Sequence, residues 1–203
     1  MGWDFLVTAT LVVLAPGTGV VYTVAVALTR GRRAGVAAAA GCTLGIAPAA
    51  LAALLGVAAI LYASAVAFQI VKLVGVAYLL WLAWMTLKDR GPLATEAAQT
   101  PKGLLAIART GALINVLNPK LALFFMAFLP QFVAPEAAAA PQMVLLTAVF
   151  MALTFLVFCA YAALAAHAGA AALNRPAFLT WLRRGVAAAF AGFGLRLALA
   201  ERI

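Results

Sequence analysis

The chain has 203 residues, 67% of them hydrophobic and 9% charged, with a mean hydropathy of +1.13. A soluble domain carries about 25% charged residues, so the composition excludes an ordinary soluble fold and implies a single polytopic membrane domain over 1–203. The net charge of +9 does not signal nucleic acid, because the basic residues fall in short clusters between apolar runs, as orientation signals do, and form no continuous basic face.

Six apolar runs follow in chain order. The first, about Phe5 to Leu28, carries Pro16-Gly17 near its centre and closes on Arg30, Arg32 and Arg33. Its leader, Met1-Gly2-Trp3-Asp4-Phe5, has no basic stretch, so a retained span is expected in place of a cleaved signal peptide. The second run is about Gly35 to Ala63 and the third about Ala65 to Leu87, with the turn between them placed at Tyr62-Ala63-Ser64. A polar linker with Pro92 and Pro101 extends from Lys88 to Arg109. The fourth run, Gly111 to Val133, has a single charge, Lys120, beside Asn118-Pro119. A loop from Pro135 to Pro141 leads to the fifth run, about Met143 to Ala168, which Asn174-Arg175-Pro176 ends. The sixth run, Gly185 to Ala200, borrows from 178–182.

Ten lysines and arginines fall in the loops after runs one, three and five, and none after runs two and four. The positive-inside rule then puts both termini in the periplasm. Pro16-Gly17 and Asn118-Pro119 sit at corresponding places three spans apart, and an odd number of spans inverts the second half. The expected fold is therefore all-α, with six transmembrane helices in two inverted three-helix repeats whose first and fourth helices are broken. Repeat one covers about 1–90, the cytoplasmic linker about 88–109 and repeat two about 110–203. Paired Gly/Pro interruptions of this kind point to a transporter binding site.

Lys120 lies roughly 13 Å along the helix from the nearer end of its run, beyond the usual reach of a snorkelling lysine. Pro119 removes a backbone donor beside it. Intramembrane charge is functional by default, and the half-helices that restart after each break present free N–H groups that attract anions. Lys120, Asn118, Pro119 and Asn115 from the fourth run, with Pro16, Gly17 and Thr18 from the first, are thus the candidate substrate-binding set. Lys72 and Tyr78 of the third run join it, Lys72 doubling as a candidate interfacial anchor and Tyr78 as a candidate core residue. Arg196 and His167 read as interfacial residues. Gly41-x-x-x-Gly45 permits close helix approach, which packing within one bundle and homodimerisation satisfy equally. The spans carry no deep carboxylate, no nucleotide-binding loop and no catalytic or metal-ligating cluster, so no enzyme, metal or cofactor is expected.

The chain resembles the bacterial lysine-exporter and homoserine/threonine-efflux family (LysE/RhtB) of amino acid transporters. The resemblance is carried by Gly111-Ala112-Leu113-Ile114-Asn115-Val116-Leu117-Asn118-Pro119-Lys120 with Phe124-Phe125 and Phe128-Leu129-Pro130-Gln131-Phe132, and by Lys72-Leu73-Val74-Gly75-Val76-Ala77-Tyr78-Leu79. Pro16-Gly17, Gly31-Arg32-Arg33-Ala34-Gly35 and Gly192-Phe193-Gly194-Leu195-Arg196 add to it. It implies secondary active export of amino acids or related zwitterions across the bacterial inner membrane, coupled to protons and independent of ATP. The family often reads Pro-Gly-Pro in the first span; Thr18-Gly19 follow Pro16-Gly17 here. With no buried carboxylate, a lysine of lowered pKa is the candidate proton carrier. The rival readings are a transporter of another small solute or ion, a membrane thiol carrier using Cys42 and Cys159, and a scaffold that transports nothing.

Overall fold

The computed structural model of the chain describes residues 2–15, 17–63, 103–134 and 138–173, with single helical positions between 73 and 88 and between 177 and 195. Side chains beyond 56 in the third helix, beyond 167 in the last, and at 119, 120, 122, 123 and 127 lie outside this description. The described residues form helices α1 (Trp3–Leu14), α2 (Thr18–Leu44), α3 (Ala47–Ala63), α4 (Leu104–Val116), α5 (Pro119–Phe128), a 3-10 turn (Leu129–Phe132) and α6 (Ala139–Leu173), and no strand. An all-helical chain with α6 apolar over 139–167 suits a membrane protein.

Helix α2 is not one rod. Gly31 breaks it with φ 79° and ψ 179°, a conformation that glycine adopts without steric penalty. A Cβ on Gly35 would fall 2.8 Å from the Cβ of Ala27. Two residues eight apart in a straight helix are about 12 Å apart along the axis, so the chain has reversed. The Cys42 thiol, facing the Gly19 carbonyl at 3.8 Å, repeats the pairing farther from the turn. Arms 18–30 and 32–44 are therefore antiparallel, and the sequence boundary at Arg30, Arg32 and Arg33 falls on the hairpin tip.

The second arm lies against α4 with almost nothing between the backbones. A Cβ on Gly41 would meet the carbonyl of Ala108, and one on Gly45 the carbonyl of Ala112. Gly111 returns the contact, with the Ala38 carbonyl 2.9 Å from its Cβ position. The Gly41-x-x-x-Gly45 pattern thus serves packing within this chain, as small residues do where apolar burial gives helices no extra attraction. Helix α6 covers the other side of α2, the Cβ of Ala162 lying 2.7 Å from the Cβ position of Gly35.

The interior holds small residues and phenylalanines with Ile46, Ile107, Leu129, Met143 and Leu146, whereas many leucines face outward. Leu44, Leu55, Leu105 and Leu156 are all more than half exposed, as lipid contact requires. Inside, Phe5, Phe132, Phe128, Phe124 and Phe150 follow one another with ring centroids 4.9–5.3 Å apart.

Four boundaries differ from the sequence reading. Helix α4 begins at Leu104, inside the expected linker, so Arg109 is helical. Helix α6 begins at Ala139 and takes in Pro141 within its first turn, where the missing N–H removes no bond. Helix α3 continues through Tyr62 and Ala63; Ser64 lies outside the described residues. The second run is also bent at Gly45-Ile46, just before Pro48, where Ile46 N–H bonds the Thr43 carbonyl.

Candidate functional site

Both expected interruptions are present in the backbone. The first lies between Leu14 and Thr18, with Ala15 and the N-cap Gly17 extended. The second lies between Val116 and Pro119. The α2 hairpin and α4 bring them together, since the first arm runs antiparallel to α4. The Tyr22 hydroxyl donates to the Ile107 carbonyl at 2.9 Å, and a Cβ on Gly19 would lie 3.1 Å from Asn115 Oδ1. At the junction itself Asn118 Nδ2 donates to Thr18 Oγ1 at 3.3 Å.

A cavity of about 60 Å³ opens at this meeting point, several times the ~10–15 Å³ that one water needs. Gly17, Thr18, Asn115 and Asn118 form its polar part. Val12, Val13, Val20, Ile46, Leu121, Phe124, Phe150 and Phe158 form most of the rest.

Helix ends leave carbonyls and amides without partners, and the two breaks treat them differently. Several carbonyls at the helix ends are bonded. Ala15 N–H bonds the Leu11 and Val12 carbonyls, and Tyr161 O–H donates to the Leu14 carbonyl at 3.0 Å. Leu117 and Asn118 N–H groups bond the Leu113 and Asn115 carbonyls. Asn115 closes one more: its Nδ2 donates at 2.7 Å to the Cys42 carbonyl, beside the Gly45-Ile46 bend. The amide end of α2 has no side-chain cap among the described residues, since Gly17 offers no side chain.

Of the residues expected at a site, Gly17, Thr18, Asn115 and Asn118 line one cavity. Pro119 and Lys120 form the first turn of α5 beside it, and their side chains lie outside the described residues. Pro16, Lys72 and Tyr78 lie outside them too. The sequence reading passed over Tyr161, Thr154 and Phe158. Tyr161 carried a usable signal, being a hydroxyl-bearing aromatic in the interior of an apolar run. Among the described residues no group of histidine, cysteine and acidic side chains is placed to hold a metal. Cys42 and Cys159 are both free thiols.

A family model described as LysE type translocator matches residues 10–201. The chain belongs to the LysE family of translocators. Relatives agree along most of its length. A membrane protein of Vibrio cholerae is 33% identical over 197 residues, covering 97% of this chain and 96% of the relative. The homoserine/homoserine lactone efflux protein of Salmonella typhimurium is 28% identical over 197 residues, 97% of this chain and 95% of its own. The leucine efflux protein of Salmonella typhimurium is 35% identical over 135 residues, 64% of this chain and 62% of its own. No solved structure gives a significant match. LysE family members are transporters, and amino acid efflux proteins stand among this chain's relatives.

Proposed function

We propose that the chain is a secondary active exporter of amino acids or related small zwitterions, and that the substrate carboxylate docks where the two breaks meet. The observation that carries this reading is the start of α2, where Gly17 supplies no side-chain cap, opening on a cavity that Thr18, Asn115 and Asn118 also line. Free N–H groups at a helix start, with the positive end of the helix dipole, favour an anion. Lys120, in the first turn of α5, supplies a full positive charge at the second break. Asn118 and Thr18 already bond to each other across the junction and can turn to a carboxylate.

The wider reading has six spans in two inverted repeats, each opening with a broken helix, and exposure of the junction to either side in turn. Lysine and arginine placement puts the hairpin tip at Gly31 in the cytoplasm and both termini in the periplasm of the inner membrane. Protons are the proposed coupling ion, with Lys120 their proposed carrier. The names of the efflux relatives support amino acids as the cargo class.

The test is export of labelled amino acids from cells producing the wild-type chain or Lys120→Met. Export should fall at least tenfold while the amount of protein in the membrane stays the same. Undiminished export by the variant would remove Lys120 from the site.

A further inference from the structure

The cavity wall restricts which amino acid the junction can hold. Its polar atoms sit where the helices break, at Gly17, Thr18, Asn115 and Asn118. Most of the remaining wall is valine, isoleucine, leucine and the rings of Phe124, Phe150 and Phe158. The other hydroxyl in the lining, Thr154 Oγ1, donates to the Phe150 carbonyl of its own helix at 2.8 Å. Asn115 Nδ2 is engaged by the Cys42 carbonyl. None of the described lining residues is acidic, so a cationic side chain entering this part finds no counter-charge among them.

The wall is also firm. Phe124 lies 4.9 Å from Phe128 and 5.2 Å from Phe150, ring centre to ring centre, and both of those rings are buried. The Phe158 ring is buried as well, and its edge lies 3.0 Å from where a Gly19 Cβ would stand. A small cavity with aromatic walls accommodates a compact aliphatic group and excludes a long cationic one.

We infer that the junction selects amino acids with uncharged aliphatic side chains up to leucine or methionine in size, over lysine and arginine. Gly19 and Phe158 set the size limit. This rests on the amino acid exporter reading above.

The experiment is exchange of radiolabelled leucine in vesicles of phosphatidylethanolamine and phosphatidylglycerol containing the full chain, with unlabelled amino acids in roughly tenfold excess as competitors. Leucine, isoleucine, valine and methionine should each suppress exchange at least fivefold, while lysine and arginine leave it within twofold of the uncompeted rate. Competition by lysine or arginine as strong as that by leucine overturns the inference and leaves the exporter reading standing. Failure to move any labelled amino acid from a broad panel overturns both. Gly19→Ala, whose methyl would meet the Phe158 ring and Asn115 Oδ1, should lower the leucine-to-alanine exchange ratio about tenfold. An unchanged ratio removes Gly19 from the size limit, and the wild-type panel decides the side-chain class even should that variant not fold.

Discussion

A methyl group added at Gly41 tests how the α2 arm and α4 are held together. It would stand 2.6 Å from both the Cα and the carbonyl carbon of Ala108. Unstrained carbon contacts lie at about 3.5–4.0 Å, so the two helices must part by roughly 1 Å. Overpacking of this kind costs about 1–3 kcal/mol. Replacing glycine by alanine within a helix returns roughly 0.5–1 kcal/mol. The expected net loss for Gly41→Ala therefore lies within about 0–2.5 kcal/mol and centres on about 1 kcal/mol. In a chain of this length each kcal/mol moves the melting midpoint by about 2–4 °C, which predicts a fall of a few degrees in detergent, read by thermal melting followed by size-exclusion chromatography.

The obstacle at Gly41 is backbone, so Ala108→Gly should not restore the midpoint. At Gly35 it is the side chains of Ala162 and Ala27, at 2.7 and 2.8 Å, so Ala162→Gly should partly rescue Gly35→Ala. At Gly56 the nearest atom is Met126 Cε at 4.0 Å, and Gly56→Ala should be neutral or stabilising. Refutation would come from a Gly41→Ala protein more stable than wild type, or from its rescue by Ala108→Gly.

Two further outcomes concern the breaks. Tyr161→Phe leaves the Leu14 carbonyl without its donor and should lose about 1–3 kcal/mol of stability, the cost of an unsatisfied buried group, together with export, measured by melting and by labelled amino acid efflux at matched protein levels. Asn115→Leu strips the donor from the Cys42 carbonyl and sets a bulkier apolar group against Gly19; it should lower the midpoint further than Tyr161→Phe and abolish efflux, whereas Asn115→Gln should keep part of both.

Which parts of this arrangement were legible in the sequence follows from what each residue does to the backbone. Proline and glycine act locally, so Pro16-Gly17 and Asn118-Pro119 announced helix interruptions, and interruptions are found there. The hairpin at Gly31 could be placed because arginines cluster at its tip. Gly41 and Gly45 announced a close approach but not its partner, since the pattern is satisfied equally by any small, smooth helix face. Only the fold shows that face to be Ala108 and Ala112 of the same chain. The bend at Gly45-Ile46 was passed over although Pro48 stood next to it, because the apolar run continues without a polar residue to mark the change. Tyr161 and Phe158 could not be assigned to the junction because their contacts reach Leu14 and Gly19, far away in sequence. The expected roles of Pro16, Lys72 and Tyr78 concern residues outside those described.

On the exporter reading proposed above, the sign of the ligand group follows from which ends of the broken helices are occupied. Within a bilayer each unbonded backbone group costs several kcal/mol, so a chain that interrupts two helices in one place must satisfy the exposed groups or leave them for a visitor. The Leu11, Val12, Leu14, Leu113, Asn115 and Cys42 carbonyls are met by groups of the chain itself: the Ala15, Leu117 and Asn118 amides, the Tyr161 hydroxyl and the Asn115 side chain. Among the described residues the amides at the start of α2 receive no such partner from a side chain, Gly17 having none to give. That donor capacity, reinforced by the positive ends of two helix dipoles, is what the exporter reading offers to a substrate carboxylate, leaving the apolar part of the lining to sort one side chain from another.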